Sequence, residues 1–348
     1  MGWITSSWAF LVWTWEMGIL QPIGVFLAIM AGLWASGRWS PWGSMRFLCR
    51  RLEWMALTLL IVFSISFFLM RSIPGGPFDR DKNIDPAIKA RIEAKYGLDR
   101  PIGEQYLRSL ADTLRGDLGP SYKNRDYDVV DIIAEGFPKS ASLGVVALIF
   151  ALTLGITAGM VSAVRRGGWL DTTLMVFATI GIALPNFVIA SILILFLVIL
   201  VPMFPAATWG DFRHLILPAF CLGAPFAAYV ARLTRTGMLD VLTQDYIRTA
   251  RAKGVGELRV LTAHALKGGL LPVVSFLGPA IAGILTGSLV VEKIFQIPGL
   301  GTHFVQAAIN RDYTLSMGCV LLYTTLVYLM NLLVDVGYTV LDPRVELD

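Results

Sequence analysis

The sequence predicts an all-α polytopic membrane protein, a bundle of apolar helices. Three observations lead there. Of 348 residues, 55% are hydrophobic and only 16% are charged, against roughly 25% charged in a soluble domain. Seven stretches free of Asp, Glu, Lys and Arg are near or beyond the length of about 20 residues that a helix needs to cross a hydrocarbon core. Those stretches are continuously apolar instead of alternating at every second residue, which disfavours a β-barrel.

The first stretch, Met17–Gly37, is interrupted only by Gln21 and flanked by Trp13 and Trp15 on one side and Trp34, Trp39 and Trp42 on the other. It reads as an extra N-terminal helix with interfacial tryptophan belts and an external N-terminus, the rival being a translation start at Met45. Trp54–Met70 follows a basic cluster at Arg46, Arg50 and Arg51. The long polar stretch from Arg71 to Lys139 predicts an external helical layer. In it Asp85 and Pro86 open a helix that Gly97 ends, and a second helix from Pro101 sets Tyr106, Leu110 and Leu114 on one face before Gly116. Ser140–Val164 is the next span. Thr172–Gly210 is counted once, as a single helix kinked near Pro185 with an interfacial exit at Pro202, Pro205 and Trp209. His214–Ala231, Gly268–Val291 and Tyr313–Val334 complete the set.

The net charge of +4 is small, but the basic residues cluster between Arg232 and Lys267, which places that loop in the cytoplasm together with Arg165 and Arg166. Positive-inside placement accounts for this charge and leaves no case for nucleic-acid binding. Cys49, Cys221 and Cys319 show no metal or disulfide spacing, and His214, His264 and His303 lie in separate segments. No metal site and no catalytic constellation is expected. Glu292 and Lys293 are expected at a membrane boundary, beside water or partners.

Residues Asp245–Gly254 read DYIRTARAKG, a short helix with small side chains at Thr249, Ala250 and Ala252, followed by a second helical run from Glu257 to Lys267. The small residues allow a partner to approach the backbone, and Gly254 permits the turn. On periodicity alone a helix lying on the membrane surface explains the segment as well.

DYIRTARAKG, HALKGGLLPVV from His264, IPGLG at Ile297–Gly301, NRDY at Asn310–Tyr313 and DPR at Asp342–Arg344 together resemble the permease subunit of an oligopeptide ABC importer. IPGGP from Ile73, GDLGPSYK from Gly116 and FPKSASLG from Phe137 extend the likeness. GDLGPSYK with the long external loop resembles the first of two paralogous permeases. The resemblance implies a type I importer fold with six family helices beyond the N-terminal extension. It divides the chain into an extension at 1–44, a first family helix at 45–72, an external loop at 73–137, a permease core at 138–344 with a coupling segment at 240–267, and a tail at 345–348.

The resemblance also assigns roles. Asp245, Tyr246, Arg248, Thr249, Ala250, Arg251, Lys253 and Gly254 form a coupling helix that sits in a cleft of a cytoplasmic ATPase. The general motif's acidic first residue is Arg248 here, and its closing proline is Lys267. Apart from the resemblance, Pro298, Gly299 and Gly301 punctuate the chain directly after the Gly268–Val291 span, so Ile297, Pro298, Gly299, Leu300 and Gly301 are expected to form an outer gate before a short helix over Thr302–Asn310, with a structural turn alone as the competing explanation. Gly283, Thr286, Gly287 and Ser288 are candidates for a roomy pathway lining, with close helix packing as the competing explanation. The chain has no G-x-x-x-x-G-K-[ST] loop, so it is not expected to be an enzyme or to hold a cofactor; ATP and Mg²⁺ belong to partner subunits. The implied partners are a second permease, two ATPases, an extracytoplasmic peptide-binding protein and the peptide, in the bacterial inner membrane. A permease for dipeptides, nickel or another small solute is the alternative.

Overall fold

The computed structural model describes residues 41–73, 76–78, 91, 94, 96–124, 126–205, 208–285 and 289–341. The expected helix Met17–Gly37, most of the helix expected from Pro86, and the DPR segment lie outside them. The described residues carry helices and no strands. Four helices are long and apolar enough to cross a membrane, or six if each of two bent pairs is one span. The chain divides into two compact units, residues 1–138 with 302–325, and residues 139–301 with 326–348.

In the first unit, α1 (Pro41–Ser72) and α2 (Ile102–Leu114) meet through aromatic rings. Phe63 and Phe67 are buried with Met317, and Tyr106 and Leu110 of α2 pack against them. The Tyr106 ring lies 5.7 Å from Phe63 and 5.4 Å from Phe67, distances at which tilted rings attract. Leu114 does not join this face: it is 79% exposed. Successive i+4 positions drift around a helix by about 40° each, so the third member has turned away from the patch. Gly97 and Gly116 adopt φ of +66° and +82° where the sequence places helix ends.

The helix α3 (Val129–Val164) begins well before the apolar stretch at Ser140 and runs through Pro138. The expected kinked helix after Thr172 is two helices, α4 (Trp169–Ala183) and α5 (Asn186–Ile194, continued as a π-helix Leu195–Leu200), bent by 108°. A kink understates this break. Leu184 is driven to an extended conformation (φ −79°, ψ 128°) by the proline that follows, and α5 restarts with Pro185 as its N-terminal flank.

The expected span His214–Ala231 is the front part of α6 (Arg213–Leu242), which carries Arg232 and Arg235 on helix instead of loop. After α7 (Asp245–Ala252), the chain forms α8 (Glu257–Gly269), whose middle, Val260–Ala265, is π-helical. Then come α9 (Leu271–Leu285) and α10 (Leu289–Ile294). The expected span Gly268–Val291 thus starts at the end of α8, which bends by 47° into α9. The last helices are α11 (Leu300–Asn310), slightly longer than expected, and α12 (Tyr313–Leu341).

Within the second unit α6 is the spine. A methyl group added at Gly159 of α3 would lie 2.5 Å from the Ala231 carbonyl oxygen, and one at Gly237 would lie 2.2 Å from the Gly269 oxygen. Backbones that close leave no room for a β-carbon, which fixes glycine at both crossings.

Candidate functional site

The segment expected to couple is built on the end of α6. Ile247 and Ala250, three apart on α7, face inward and pack with Met238 of α6, Ala163 of α3, and Val260, Leu261 and Ala265 of α8. That spacing puts both on one face of a two-turn helix. Asp245, Tyr246, Arg248, Thr249, Arg251 and Lys253 are exposed. Ala250 is therefore small because it packs inside this chain, only 8% exposed; it does not offer its methyl to a partner.

Gly254 turns the chain after α7 at φ +77°, and its N–H donates to Arg251 O at 2.9 Å. A β-carbon there would meet nothing within 4 Å, so the conformation alone favours glycine. Arg251 donates from Nε and Nη2 to Glu257, at 3.1 and 2.7 Å, and this pairing raises its pKa. Arg251 thus has an internal partner that braces α7 against α8.

Beneath this segment lies a polar clasp that sequence reasoning missed. Asp171, in the first turn of α4, receives Arg235 Nε at 2.7 Å and Nη2 at 2.8 Å, the Ser162 hydroxyl, and the Gly167 N–H at 2.9 Å. Its side chain is 7% exposed against 27% for Arg235. A buried carboxylate is tolerable only with such donors around it. One signal was available: an aspartate that opens a long apolar run needs a cation near it.

At the expected outer gate, Ile297 and Leu300 are buried and Pro298 is partly buried. Glu292 is also fully buried, with a partner in Ser140, while Lys293 is exposed. Ser140 of α3 donates to Glu292 Oε1 at 2.7 Å and accepts the Leu300 N–H at 2.8 Å. A methyl at Gly299 would lie 2.5 Å from the Ser140 oxygen, so glycine is needed for this approach. The IPGLG turn is thereby anchored to α3. Gly283 is exposed, and a methyl there would lie 3.8 Å from the Phe226 ring, an ordinary contact. Thr286, Gly287 and Ser288 lie outside the described residues.

A family described as "Binding-protein-dependent transport system inner membrane component" matches residues 155–347, and its N-terminal counterpart matches residues 44–144. The chain belongs to this family. It is a multi-pass bacterial inner-membrane permease. The permease is 42% identical over 302 residues to the dipeptide transport system permease protein DppB of Bacillus subtilis, covering 87% of this chain and 98% of that protein. It is 43% identical over 304 residues to the oligopeptide transport system permease protein OppB of Haemophilus influenzae and to that of Escherichia coli K12, covering 87% of this chain and 99% of each. A chain of the MetNI methionine ABC transporter, at 19% identity and a TM-score of 0.50, covers 61% of the permease and 96% of itself, and shares its fold.

Proposed function

We propose that this chain is one of two permease subunits of an ATP-driven peptide importer, and forms half of an alternating-access pathway. The observation that carries the reading is near-complete coverage, at 42–43% identity, of permeases named for dipeptide and oligopeptide transport. The α7 face bearing Asp245, Tyr246, Arg248 and Thr249 is exposed and is held rigidly from behind by Ile247 and Ala250, as a lever for a cytoplasmic ATPase requires. ATP and Mg²⁺ are held by two such ATPases, and an extracytoplasmic binding protein delivers the peptide. ATP binding closes the ATPase pair, and the coupling segments carry that motion into the bundle. The buried Glu292–Ser140 anchor supports a gating role for IPGLG, because a turn tied to α3 follows that helix.

The test is reconstitution of the chain with its partner permease, ATPases and binding protein in vesicles. Uptake of a labelled tripeptide that depends on ATP and on the binding protein is expected. Uptake of nickel with no peptide uptake would establish the other solute class instead.

A further inference from the structure

Beside the last turn of α1, α2 and the start of α12 lies a cavity of about 190 Å³, lined among others by Arg71, Tyr96, Gln105, Tyr122 and Tyr313. All of these belong to one compact unit. Most of the charges at its rim compensate one another. Arg100 pairs with Glu104 at 2.6 Å, Arg108 and Arg115 flank Asp112 at 3.9 and 3.8 Å, and Asp117 accepts the Gly119 N–H at 2.8 Å.

Arg71 differs. Its Nε donates to Gln105 Oε1 at 3.1 Å, and its guanidinium stacks 3.6 Å above the Phe67 ring. Among the described residues no carboxylate pairs with it, and its two terminal nitrogens donate to nothing. The hydroxyl of Tyr122 is in the same position: the residue is 6% exposed, and among the described residues the hydroxyl has no hydrogen-bond partner. Burial pushes the Tyr122 pKa up to about 12, so the phenol stays a neutral donor at physiological pH.

A partly buried cation and a phenol hydroxyl thus line the same cavity with donors that no described protein group accepts, and an acceptor entering the cavity meets both. One carboxylate would accept from both, in charge-assisted bonds. Tyr96 and Tyr313 supply apolar walls beside it. The volume is below the roughly 300–1,000 Å³ of sites that enclose whole small ligands, and suits a single residue of a longer molecule. We propose that this cavity binds the C-terminal carboxylate of a short peptide, through Arg71 and Tyr122, with the last side chain against the tyrosines. The proposal rests on the peptide-importer reading and adds a site to it.

The test uses the whole importer in nanodiscs without its binding protein. Tri-alanine and tri-alanine C-terminal amide are titrated by calorimetry against wild type, Tyr122→Phe and Arg71→Gln. Tri-alanine should bind, and the amide about tenfold or more weaker. Tyr122→Phe, which keeps the ring and its packing, should weaken tri-alanine about tenfold at an unchanged melting temperature. Arg71→Gln should abolish binding; if that variant does not fold, Tyr122→Phe still decides. No binding of tri-alanine, equal binding of acid and amide, or no effect of Tyr122→Phe overturns the proposal. So does a Tyr122→Phe defect confined to capture of the loaded binding protein, which would assign the carboxylate to that partner. Binding-protein-dependent uptake of labelled tri-alanine by the same preparation is scored separately. If uptake fails, the importer reading falls; if uptake persists without site binding, only the cavity assignment falls.

Discussion

Asp312 accepts a hydrogen bond from the hydroxyl of Ser121, a residue 191 positions earlier in the chain. The same carboxylate accepts the Lys123 N–H at 3.3 Å and the Leu315 N–H at 3.2 Å, so it caps α12 while it holds the GDLGPSYK loop. Thr314 donates to Pro120 O at 2.8 Å beside it. Two motifs far apart in sequence are thus one polar node, with Ser121 0% and Asp312 1% exposed.

Removing the acceptor strands buried donors. Asp312→Ala should destabilise the first unit by about 1–3 kcal/mol, and Ser121→Ala by less, because only one partner is then lost. Thermal unfolding of the purified protein in detergent checks this. Equal melting temperatures for wild type and Asp312→Ala would show that water replaces the carboxylate.

The Asp171–Arg235 clasp gives a second prediction. Breaking a buried pair from one side leaves an uncompensated charge and costs about 3–5 kcal/mol, whereas removing both partners costs less than the sum. Arg235→Ala, which strands the buried Asp171 carboxylate, should therefore lower the melting temperature more than Asp171→Ala/Arg235→Ala does. Additive single effects would mean that the charges do not interact.

These two nodes mark the limit of what the sequence makes legible. Apolar runs locate the spans because burial in lipid demands them, and Gly116 stops α2 through a local conformation that glycine alone adopts cheaply. Pairings such as Ser121 with Asp312 depend on the folded path between them, which no local pattern encodes. Arg235 was legible only as positive charge near a membrane edge; its salt bridge needed the geometry of α4 against α6. Ala250 is ambiguous in the sequence for a different reason. Its small size fits a partner contact or an internal one equally well, and only its spacing from Ile247 pointed inward.

Close backbone crossing at α6 supplies a third prediction. Gly237→Ala places a methyl 2.2 Å from the Gly269 carbonyl oxygen, and backbone cannot yield as a flexible side chain does. Overpacking of this kind costs about 1–3 kcal/mol. The variant should show a reduced folded fraction after solubilisation, measured by fluorescence-detected size exclusion. Gly256→Ala, where a methyl meets nothing within 4 Å, should match wild type.

The last prediction separates the two faces of α7. A glutamate at Ala250 would be pushed among Val260, Leu261 and Ala265, where an unpaired charge has no donor to meet it, so Ala250→Glu should unfold the packing behind the helix. Its melting temperature should fall, and any loss of ATPase binding would be secondary. Thr249 is exposed on the other face, and Thr249→Trp adds bulk without touching that core. Thr249→Trp should keep the wild-type melting temperature and membrane level yet lose the ATPases on purification and lose peptide uptake. Gly254→Ala falls between the two: nothing obstructs the methyl, but φ of +77° strains any β-carbon by about 1–2 kcal/mol. It should lower the melting temperature slightly and weaken ATPase retention in proportion to how far the turn relaxes. If Thr249→Trp retains both ATPases and uptake, the exposed face of α7 is not the coupling surface. If Ala250→Glu is as stable as wild type, the inward assignment of Ala250 fails instead, and the two results are independent of each other.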